Sequence, residues 1–350
     1  MTDVAHHLFA AIMAGGKGER FWPAGRAGRP KQLLPLIGEK TMIEETVQRL
    51  FPLFAPERIL VITSRAHADT VRNLLPIPAE NVIGEPEGRD TAPCAALAAA
   101  LILRRDPEAT MVLLPADHVI RPAKLFRETI LAAAHEAQKG VLVTLGVTPA
   151  EAATGYGYLH LGEEVAPGFH RVLEFREKPD RETARKFFHD GNYRWNSGIF
   201  IWRCDAISRE FARHAPEIGA KLEAWSKGAD YTRDFAECPK ISLDYAVMEK
   251  TGNTVAGDVN FYWNDIGSWS ALRSVLELDA SGNAVRGKAL TRDASGNVIW
   301  NDSDLLIGVV GLNGIAVVKS GNGLLVCALS TEQQVKELVH RIRETHPEHL

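Results

Sequence analysis

The first 150 residues alternate short apolar runs with amphipathic stretches. Leu8–Ala14 is apolar at every position, a run too short for a buried helix and typical of a strand covered on both faces. The same reading predicts further strands at 59–63, 81–83, 111–115 and 141–146, and helices at 42–50, 66–74, 93–104 and 124–138. This order predicts an α/β fold with a Rossmann-like, mostly parallel sheet between helices.

The pattern changes twice farther along the chain. From Tyr156 the strand-like segments are interrupted by helical pieces, as expected for a substrate-facing region inserted into the same sheet. After Leu278 short β-type runs rich in Gly, Asn and Asp lead to a closing helix over 331–345. We predict a large α/β domain over 1–278 and a small β-rich domain over 279–350, whose strands form a few coils of a β-solenoid.

A glycine-rich loop follows the first predicted strand. Gly15, Gly16 and Gly18 allow positive φ and close approach of the backbone to a ligand. Five of the fifteen residues from 17 to 31 are cationic, namely Lys17, Arg20, Arg26, Arg29 and Lys31. Because crowded like charges repel unless an anion compensates them, the loop predicts polyphosphate binding. We expect Lys17, Arg20 and Lys31 to contact phosphate, and Arg26 and Arg29 to be solvated.

The spacing of this loop differs from two common nucleotide motifs. It matches neither the GxxxxGK[ST] of P-loop proteins nor the GxGxxG of dinucleotide-binding folds. The second mismatch argues against a dinucleotide-dependent oxidoreductase. A tight connection without a ligand is the alternative interpretation of the glycines.

Two aspartates lie at the ends of apolar or aromatic runs. Asp117 ends MVLLPAD, and Asp265 lies in FYWNDIGSW. Mg²⁺ is often held by one or two carboxylates together with phosphate oxygens of the substrate, so the pair predicts a magnesium site. The alternative is that both residues cap helices beginning near Pro122 and Ser268.

Two further segments carry polar groups suited to a sugar phosphate. In FREKP, Lys178 could neutralise a phosphate and Glu177 could accept hydrogen bonds from hydroxyls, although a solvated ion pair is the alternative. Asn196 precedes an apolar strand, and its amide both donates and accepts; an Asx turn is the alternative. Gly157 would let the backbone approach a ligand or would only relieve a turn.

The segment GEPEGRDTAP forms a turn-rich loop before an Ala-rich helix. Glu85 and Asp90 could accept hydrogen bonds from the N1–H and amino group of guanine. Either acid could instead be a charge favoured at a helix N-terminus.

Composition and charge argue against several other classes of protein. The formal net charge is −4, which argues against bulk binding of nucleic acid. The four cysteines, Cys94, Cys204, Cys238 and Cys327, have no CxxC spacing and suit a reducing compartment. No apolar run reaches membrane-spanning length, and the N-terminus is a poor signal peptide. We therefore expect a cytoplasmic protein with no membrane partner.

Six motifs occur in an order that resembles one enzyme family. AGGKGERFWP…RPKQ, LPADH, FREKP, WNSGIF, SLDYAVMEK and WNDIGSW are similar to the motifs of nucleotidyltransferases that act on sugar 1-phosphates, and especially of mannose-1-phosphate guanylyltransferases. The resemblance spans about residues 8–269 and implies transfer of GMP from GTP to mannose 1-phosphate with Mg²⁺. It also implies a homodimer.

The resemblance assigns a role to each candidate residue. It implies catalytic roles for Arg20, Lys31 and Lys178, and metal binding by Asp117 and Asp265. It places the nucleotide on Gly15, Gly16, Lys17, Gly18, Glu85, Asp90, Thr91 and Pro93, and the sugar on Gly157, Glu177 and Asn196. Another nucleotide or hexose, such as dTTP or UTP with glucose 1-phosphate, and a non-catalytic sensor remain alternatives.

Overall fold

The structure, a computed structural model, describes residues 4–16 and 18–350. The strands are β1 (Leu8–Ala14), β2 (Ile59–Ser64), β3 (Val82–Glu85), β4 (Thr110–Pro115), β5 (Val119–Arg121), β6 (Leu142–Val147), β7 (Tyr158–Ala166), β8 (Phe169–Arg176), β9 (Tyr193–Arg203), β10 (Thr254–Asp258), β11 (Tyr262–Asn264), β12 (Ala284–Arg286), β13 (Ala289–Arg292), β14 (Val298–Asn301), β15 (Ile307–Val310), β16 (Ile315–Ser320) and β17 (Gly323–Ala328). The helices are α1 (Met42–Leu50), α2 (Ala68–Leu74), α3 (Thr91–Leu103), α4 (Ala123–Ala137), α5 (Arg181–Asp190), α6 (Cys204–His214), α7 (Pro216–Ser226) and α8 (Val335–Thr345).

The chain divides into two compact units. The first takes the chain up to Gly15 and then Val47–Ala116 and Ile120–Trp263. The second takes Gly16–Thr46, Asp117–Val119 and Asn264–Leu350. Each unit therefore draws on residues of the segment 1–278, and the second also contains the whole segment 279–350.

A nine-stranded sheet forms the centre of the first unit, in the order β3-β2-β1-β4-β9-β6-β10-β8-β7. The four strands from β3 to β4 pair in parallel, as the alternating pattern predicts. In β1 six of the seven residues are buried, because helices cover both faces of the sheet. On one face the Ala-rich α3 lies in a core that includes Phe9, Leu60 and Trp202.

The other half of the sheet is mainly antiparallel. β9 lies between β4 and β6 and runs antiparallel to both, and β10, β8 and β7 continue the sheet. β10 pairs in parallel with β6, whereas β8 and β7 pair antiparallel with their neighbours. The α/β fold is thus confirmed, and the antiparallel strands come from the region where the sequence pattern changes after Tyr156.

The second unit contains a short β-helix. β12, β14 and β16 stack in parallel, as do β13 and β15, and β17 closes the larger sheet antiparallel to β16. Two fully buried asparagines support successive coils: Asn283 Oδ1 accepts from the amide of Asn297, and Asn297 Oδ1 accepts from the amide of Ile315. These bonds satisfy backbone groups at the turns, and they confirm the β-solenoid predicted for the C-terminal region.

A second hydrophobic core surrounds the glycine-rich loop. Phe21 and Trp22 from the loop pack with Trp269, Trp300 and Val335 in this core. The loop is therefore anchored by buried aromatic residues although Gly15 and Gly16 are exposed. None of the helices in the described part of the chain has the length and apolar character needed to cross a bilayer.

Candidate active site

The glycine-rich loop turns back on itself at Gly18. Its φ is 64°, and a Cβ there would lie 2.6 Å from the backbone nitrogen of Lys31. Any other residue would be strained and would clash with the backbone at Lys31. Gly18 thus brings two parts of the cationic loop together. Lys17 lies outside the described residues.

Lys31 is buried despite its charge. Its Nζ lies 2.8 Å from Asp117 Oδ2, donates to the backbone carbonyl of Asp265 and lies 5.7 Å from the centre of the Phe21 ring. Burial alone would raise the pKa of Asp117, but the ammonium of Lys31 and the neighbouring His118 bring the pKa below its ordinary value. The Asp117 carboxylate is therefore held ionised at neutral pH.

A cavity of about 320 Å³ in the second unit brings five predicted site residues together. Gly18, Arg20, Lys31, Asp117 and Asp265 all line it. Arg20 is exposed and has no ion-pair partner among residues 4–16 and 18–350. Cations beside two carboxylates, within one cavity, can bind a phosphate chain together with a metal ion.

Neither aspartate caps a helix. α4 begins after Pro122, and the turn Ser270–Ser274 begins after Trp269; neither start has a side-chain cap. The capping alternative is therefore wrong for Asp117 and Asp265.

Arg26 and Arg29 do not line this cavity. Arg26 donates to the carbonyls of Pro23 and Ser320 and to Asn322 Oδ1, at 2.7 to 3.0 Å. Arg29 is exposed and pairs with Asp302 at 3.2 Å. The expectation that Arg26 is solvated is wrong, because the β-helix offers it acceptors at Ser320 and Asn322.

The loop predicted to bind the guanine base lies in the first unit. Glu85 ends β3 and is only 6% exposed. A Cβ at Gly15 would lie 3.5 Å from Glu85 Oε2, so the carboxylate is close to the glycine-rich loop. Burial raises the pKa of Glu85 to about 7, an effect that a hydrogen bond from the Cys94 thiol reduces. Asp90 is the N-cap of α3 and accepts from the amide of Thr91, as the helix-terminus alternative expects.

Thr91 and Pro93 lie in the first turn of α3. Thr91 Oγ1 accepts from the amide of Leu243 at 2.8 Å, and Pro93 is buried. Both side chains therefore fix the start of the helix against its neighbour. Gly16 is in the second unit, where its carbonyl accepts from Gln32 Nε2 at 3.2 Å.

The residues predicted to bind the sugar converge in the first unit. A Cβ at Gly157 would lie 2.6 Å from Glu177 Oε2 and 3.4 Å from the Cβ of Asn196. Asn196 Oδ1 accepts from Thr144 Oγ1 at 2.8 Å, which fixes the orientation of its amide. A side chain at position 157 would therefore displace the Glu177 carboxylate beside Asn196.

Lys178 extends from this cluster. Its Nζ lies 2.6 Å from Glu177 Oε1, and its backbone has a φ of 43°, unusual for a residue with a side chain. Burial would lower the pKa of Lys178, but the hydrogen bond and charge of Glu177 raise it above its ordinary value. The Glu177 side chain is only 9% exposed whereas the Lys178 side chain is 60% exposed, so the pair joins a buried carboxylate to an ammonium that faces solvent.

Comparison with known proteins identifies the family. A family model described as nucleotidyl transferase matches residues 9–282. The chain belongs to the nucleotidyl transferase family. A second model, described as a MannoseP isomerase/GMP-like beta-helix domain, matches residues 287–342. The first match covers the sheet of the first unit, and the second covers the β-helix from β13 to β17.

Relatives of this transferase are similar over almost its whole length. A mannose-1-phosphate guanylyltransferase of Salmonella muenchen is 38% identical over 361 residues, which covers 98% of this chain and 76% of that protein. The xanthan biosynthesis protein XanB of Xanthomonas campestris pv. campestris is 39% identical over 353 residues, covering 98% and 74%. A crystal structure described as mannose-1-phosphate geranyltransferase from Thermus thermophilus is 35% identical with a TM-score of 0.89, covering 96% and 99%.

Members of the nucleotidyl transferase family generally use a divalent metal ion. Among the described residues, no group of three or more His, Cys, Asp or Glu side chains could hold a metal. Mg²⁺ does not need such a group, since one or two carboxylates and the phosphates of the substrate suffice. Asp117 and Asp265 line one cavity and fit this mode.

Sequence reasoning assigned no role to Asp244, which lies in the motif SLDYAVMEK. Asn196 Nδ2 donates to Asp244 Oδ1 at 3.3 Å, so this carboxylate belongs to the cluster of Glu177, Lys178 and Asn196. Burial and the charge of Glu177 raise the pKa of Asp244 to about 7. Asp244 opens a π-helical turn, a rare element that is frequent at functional sites. Its place in one of the six motifs was the available signal.

Proposed function

We propose that the chain is a mannose-1-phosphate guanylyltransferase that transfers GMP from GTP to α-D-mannose 1-phosphate. The products are GDP-mannose and pyrophosphate. The observation that carries the proposal is the cavity in which Arg20, Lys31, Asp117 and Asp265 meet. The name of the Salmonella relative, whose similarity spans 98% of the chain, supports guanine and mannose as the base and sugar.

In the proposed reaction an oxygen of the sugar phosphate attacks the α-phosphorus of GTP. A new P–O bond forms there, the bond to the β-phosphate oxygen breaks, and pyrophosphate leaves with its electron pair. The attacking phosphate is anionic at neutral pH, so the reaction needs no general base. The protein contributes positioning and stabilisation of charge.

Residues of the second unit hold the triphosphate. Arg20 and Lys31 balance its negative charge, and Gly16 and Gly18 let the backbone approach it. Asp117 and Asp265 would hold Mg²⁺, which when bound neutralises phosphate charge and orients the α-phosphate. Because Lys31 already keeps Asp117 ionised, the carboxylate is ready to accept a cation.

Residues of the first unit select the sugar and the base. Lys178 pairs with the sugar phosphate, and Glu177 and Asn196 bond to hydroxyl groups beside Gly157. Glu85 accepts from the N1–H and amino group of guanine. Asp90, Thr91 and Pro93 shape the same loop by starting α3.

The cytoplasm is the proposed compartment and a homodimer the proposed assembly. All four cysteines are free thiols, which suits a reducing environment. A monomeric mass in light scattering would contradict the dimer.

A pyrophosphate-release panel tests the proposed function. It combines GTP, ATP, UTP or dTTP with mannose 1-phosphate or glucose 1-phosphate, each with and without MgCl₂. We expect the highest kcat/KM for GTP with mannose 1-phosphate, and activity only with Mg²⁺. A preference for UTP or dTTP would reject the proposed substrate pair, and equal activity in EDTA would reject the metal.

A further inference from the structure

The cavity in the second unit has a wall that comes from the C-terminal helix. Lys336, the second residue of α8, lines it together with Arg20, Lys31 and the two aspartates. Lys336 is exposed, so its ammonium can reach the solvent-filled space of the cavity. None of the motifs recognised in the sequence includes this residue.

Several contacts fix α8 against the glycine-rich loop. Val335 and Val339 are buried in the core that contains Phe21. Arg343 Nη2 lies 2.9 Å from Glu19 Oε1, one residue before Arg20. The Trp22 indole N–H donates to the backbone carbonyl of His349 at 3.0 Å. Because apolar and polar contacts act together, the position of α8 beside the loop is specific.

Some charged side chains around the cavity are paired with an opposite charge and others are not. Lys31 is paired with Asp117, and Glu19 is paired with Arg343. Arg20 and Lys336 have no ion-pair partner in the described part of the chain, although both line the cavity. Two unpaired cations facing one polar cavity favour a multiply charged anion as its ligand.

We propose that Lys336 of the C-terminal helix contacts the pyrophosphate portion of the nucleotide, together with Arg20. The inference rests on the proposed function, in which pyrophosphate is the leaving group and carries much of the charge that develops. Lys336 then stabilises the bound triphosphate and the departing pyrophosphate through a charge-assisted hydrogen bond. The C-terminal helix is in this way part of the active site as well as the end of the β-helix.

Three variants separate this role from a general effect of charge or folding. Lys336→Ala removes the ammonium, and Lys336→Arg keeps the cation. Arg341→Ala removes a cation from the same helix, at a residue that lines a separate groove with Leu325 and Leu338. The measurements are the Kd of inorganic pyrophosphate by titration calorimetry in MgCl₂, and the KM of each substrate.

For Lys336→Ala we expect weaker pyrophosphate binding and a higher KM for GTP, each by about three- to tenfold, the effect of one exposed charge-assisted bond. The KM for mannose 1-phosphate should change less than about twofold, since the sugar phosphate is held elsewhere. Lys336→Arg should recover most of the loss, and Arg341→Ala should behave like the wild type. An unchanged Kd and KM in Lys336→Ala, or an equal loss in Arg341→Ala, would overturn the proposal.

The two measurements also separate this inference from the proposed function. If the wild type binds pyrophosphate but does not transfer GMP to mannose 1-phosphate, the proposed function fails, and the calorimetric comparison still decides the role of Lys336. If the wild type transfers GMP and Lys336→Ala matches it in both Kd and KM, only the role of Lys336 fails.

Discussion

Replacing Glu85 by glutamine removes a carboxylate whose burial makes ionisation costly. Glu85 is 6% exposed, and its Oε1 has no hydrogen-bond partner among the described residues. The pKa of about 7 lies above the ordinary value of 4.5. Between pH 4.5 and about pH 7 the folded protein therefore keeps a proton on Glu85 that the unfolded chain has released. The free energy of unfolding of the wild type falls as pH rises through this window.

The size of the effect follows from the two pKa values. The raised pKa of Glu85 lowers the free energy of unfolding by about 2 kcal/mol more at about pH 8.5 than at about pH 5.5, because about 1.36 kcal/mol is lost for each pH unit between about pH 5.5 and the folded-state pKa of about 7. Glutamine has no such cost at either pH. We therefore expect the free energy of unfolding of Glu85→Gln, relative to the wild type, to be about 2 kcal/mol larger at the higher pH than at the lower one, so that the variant is relatively more stable there.

The assay is equilibrium unfolding in urea, followed by tryptophan fluorescence at both pH values. The matched control is Glu87→Gln on the same loop, because the Glu87 side chain is 57% exposed and its substitution should leave the pH dependence unchanged. Any constant cost of the glutamine amide cancels in the difference between the two pH values. A difference below about 0.5 kcal/mol for Glu85→Gln would refute the reasoning, since the carboxylate would then titrate alike in both states.

Three further predictions concern the two substrate sites. Asp117→Ala or Asp265→Ala should lower turnover in the pyrophosphate-release assay by about a hundredfold or more, and near-normal release by both would reject the metal site. Gly157→Ala should raise the KM for mannose 1-phosphate by about tenfold while the KM for GTP stays constant, because the new methyl displaces the Glu177 carboxylate. Ionisation of Asp244, whose pKa is about 7, should raise the wild-type KM for mannose 1-phosphate as pH rises through that value, since it adds negative charge beside Glu177. Asp244→Asn should flatten that rise, and profiles of equal slope would contradict the effect.

Periodicity was enough to predict the local elements of the parallel half-sheet. The predicted strand Leu8–Ala14 and helix Met42–Leu50 begin and end where the structure has them. Both are short, strongly patterned segments whose burial depends on neighbours close in the same α/β alternation. The insertion of β9 between β4 and β6 was not predictable in this way, because antiparallel pairing between distant segments leaves no local signal.

Contacts between side chains of the candidate site that are distant in the sequence were likewise not predictable from local patterns. The sequence identified Lys31 and Asp117 as separate candidates, but only the fold brings their charges within 2.8 Å. Arg26 looked like a solvated cation because its acceptors at Ser320 and Asn322 are almost 300 residues away in the chain. The position of Lys336 likewise depends on how α8 packs against the loop, which no motif records.

A labelling experiment that follows the α-phosphorus of GTP tests the assignment as a guanylyltransferase most directly. The protein is incubated with GTP labelled at the α-phosphate, mannose 1-phosphate and MgCl₂, and the labelled products are separated and counted against released pyrophosphate. We predict that the label appears in GDP-mannose, in equal amount to the pyrophosphate and only when mannose 1-phosphate is present. Label recovered as free GMP or GDP, or remaining in GTP, would contradict the assignment as a guanylyltransferase.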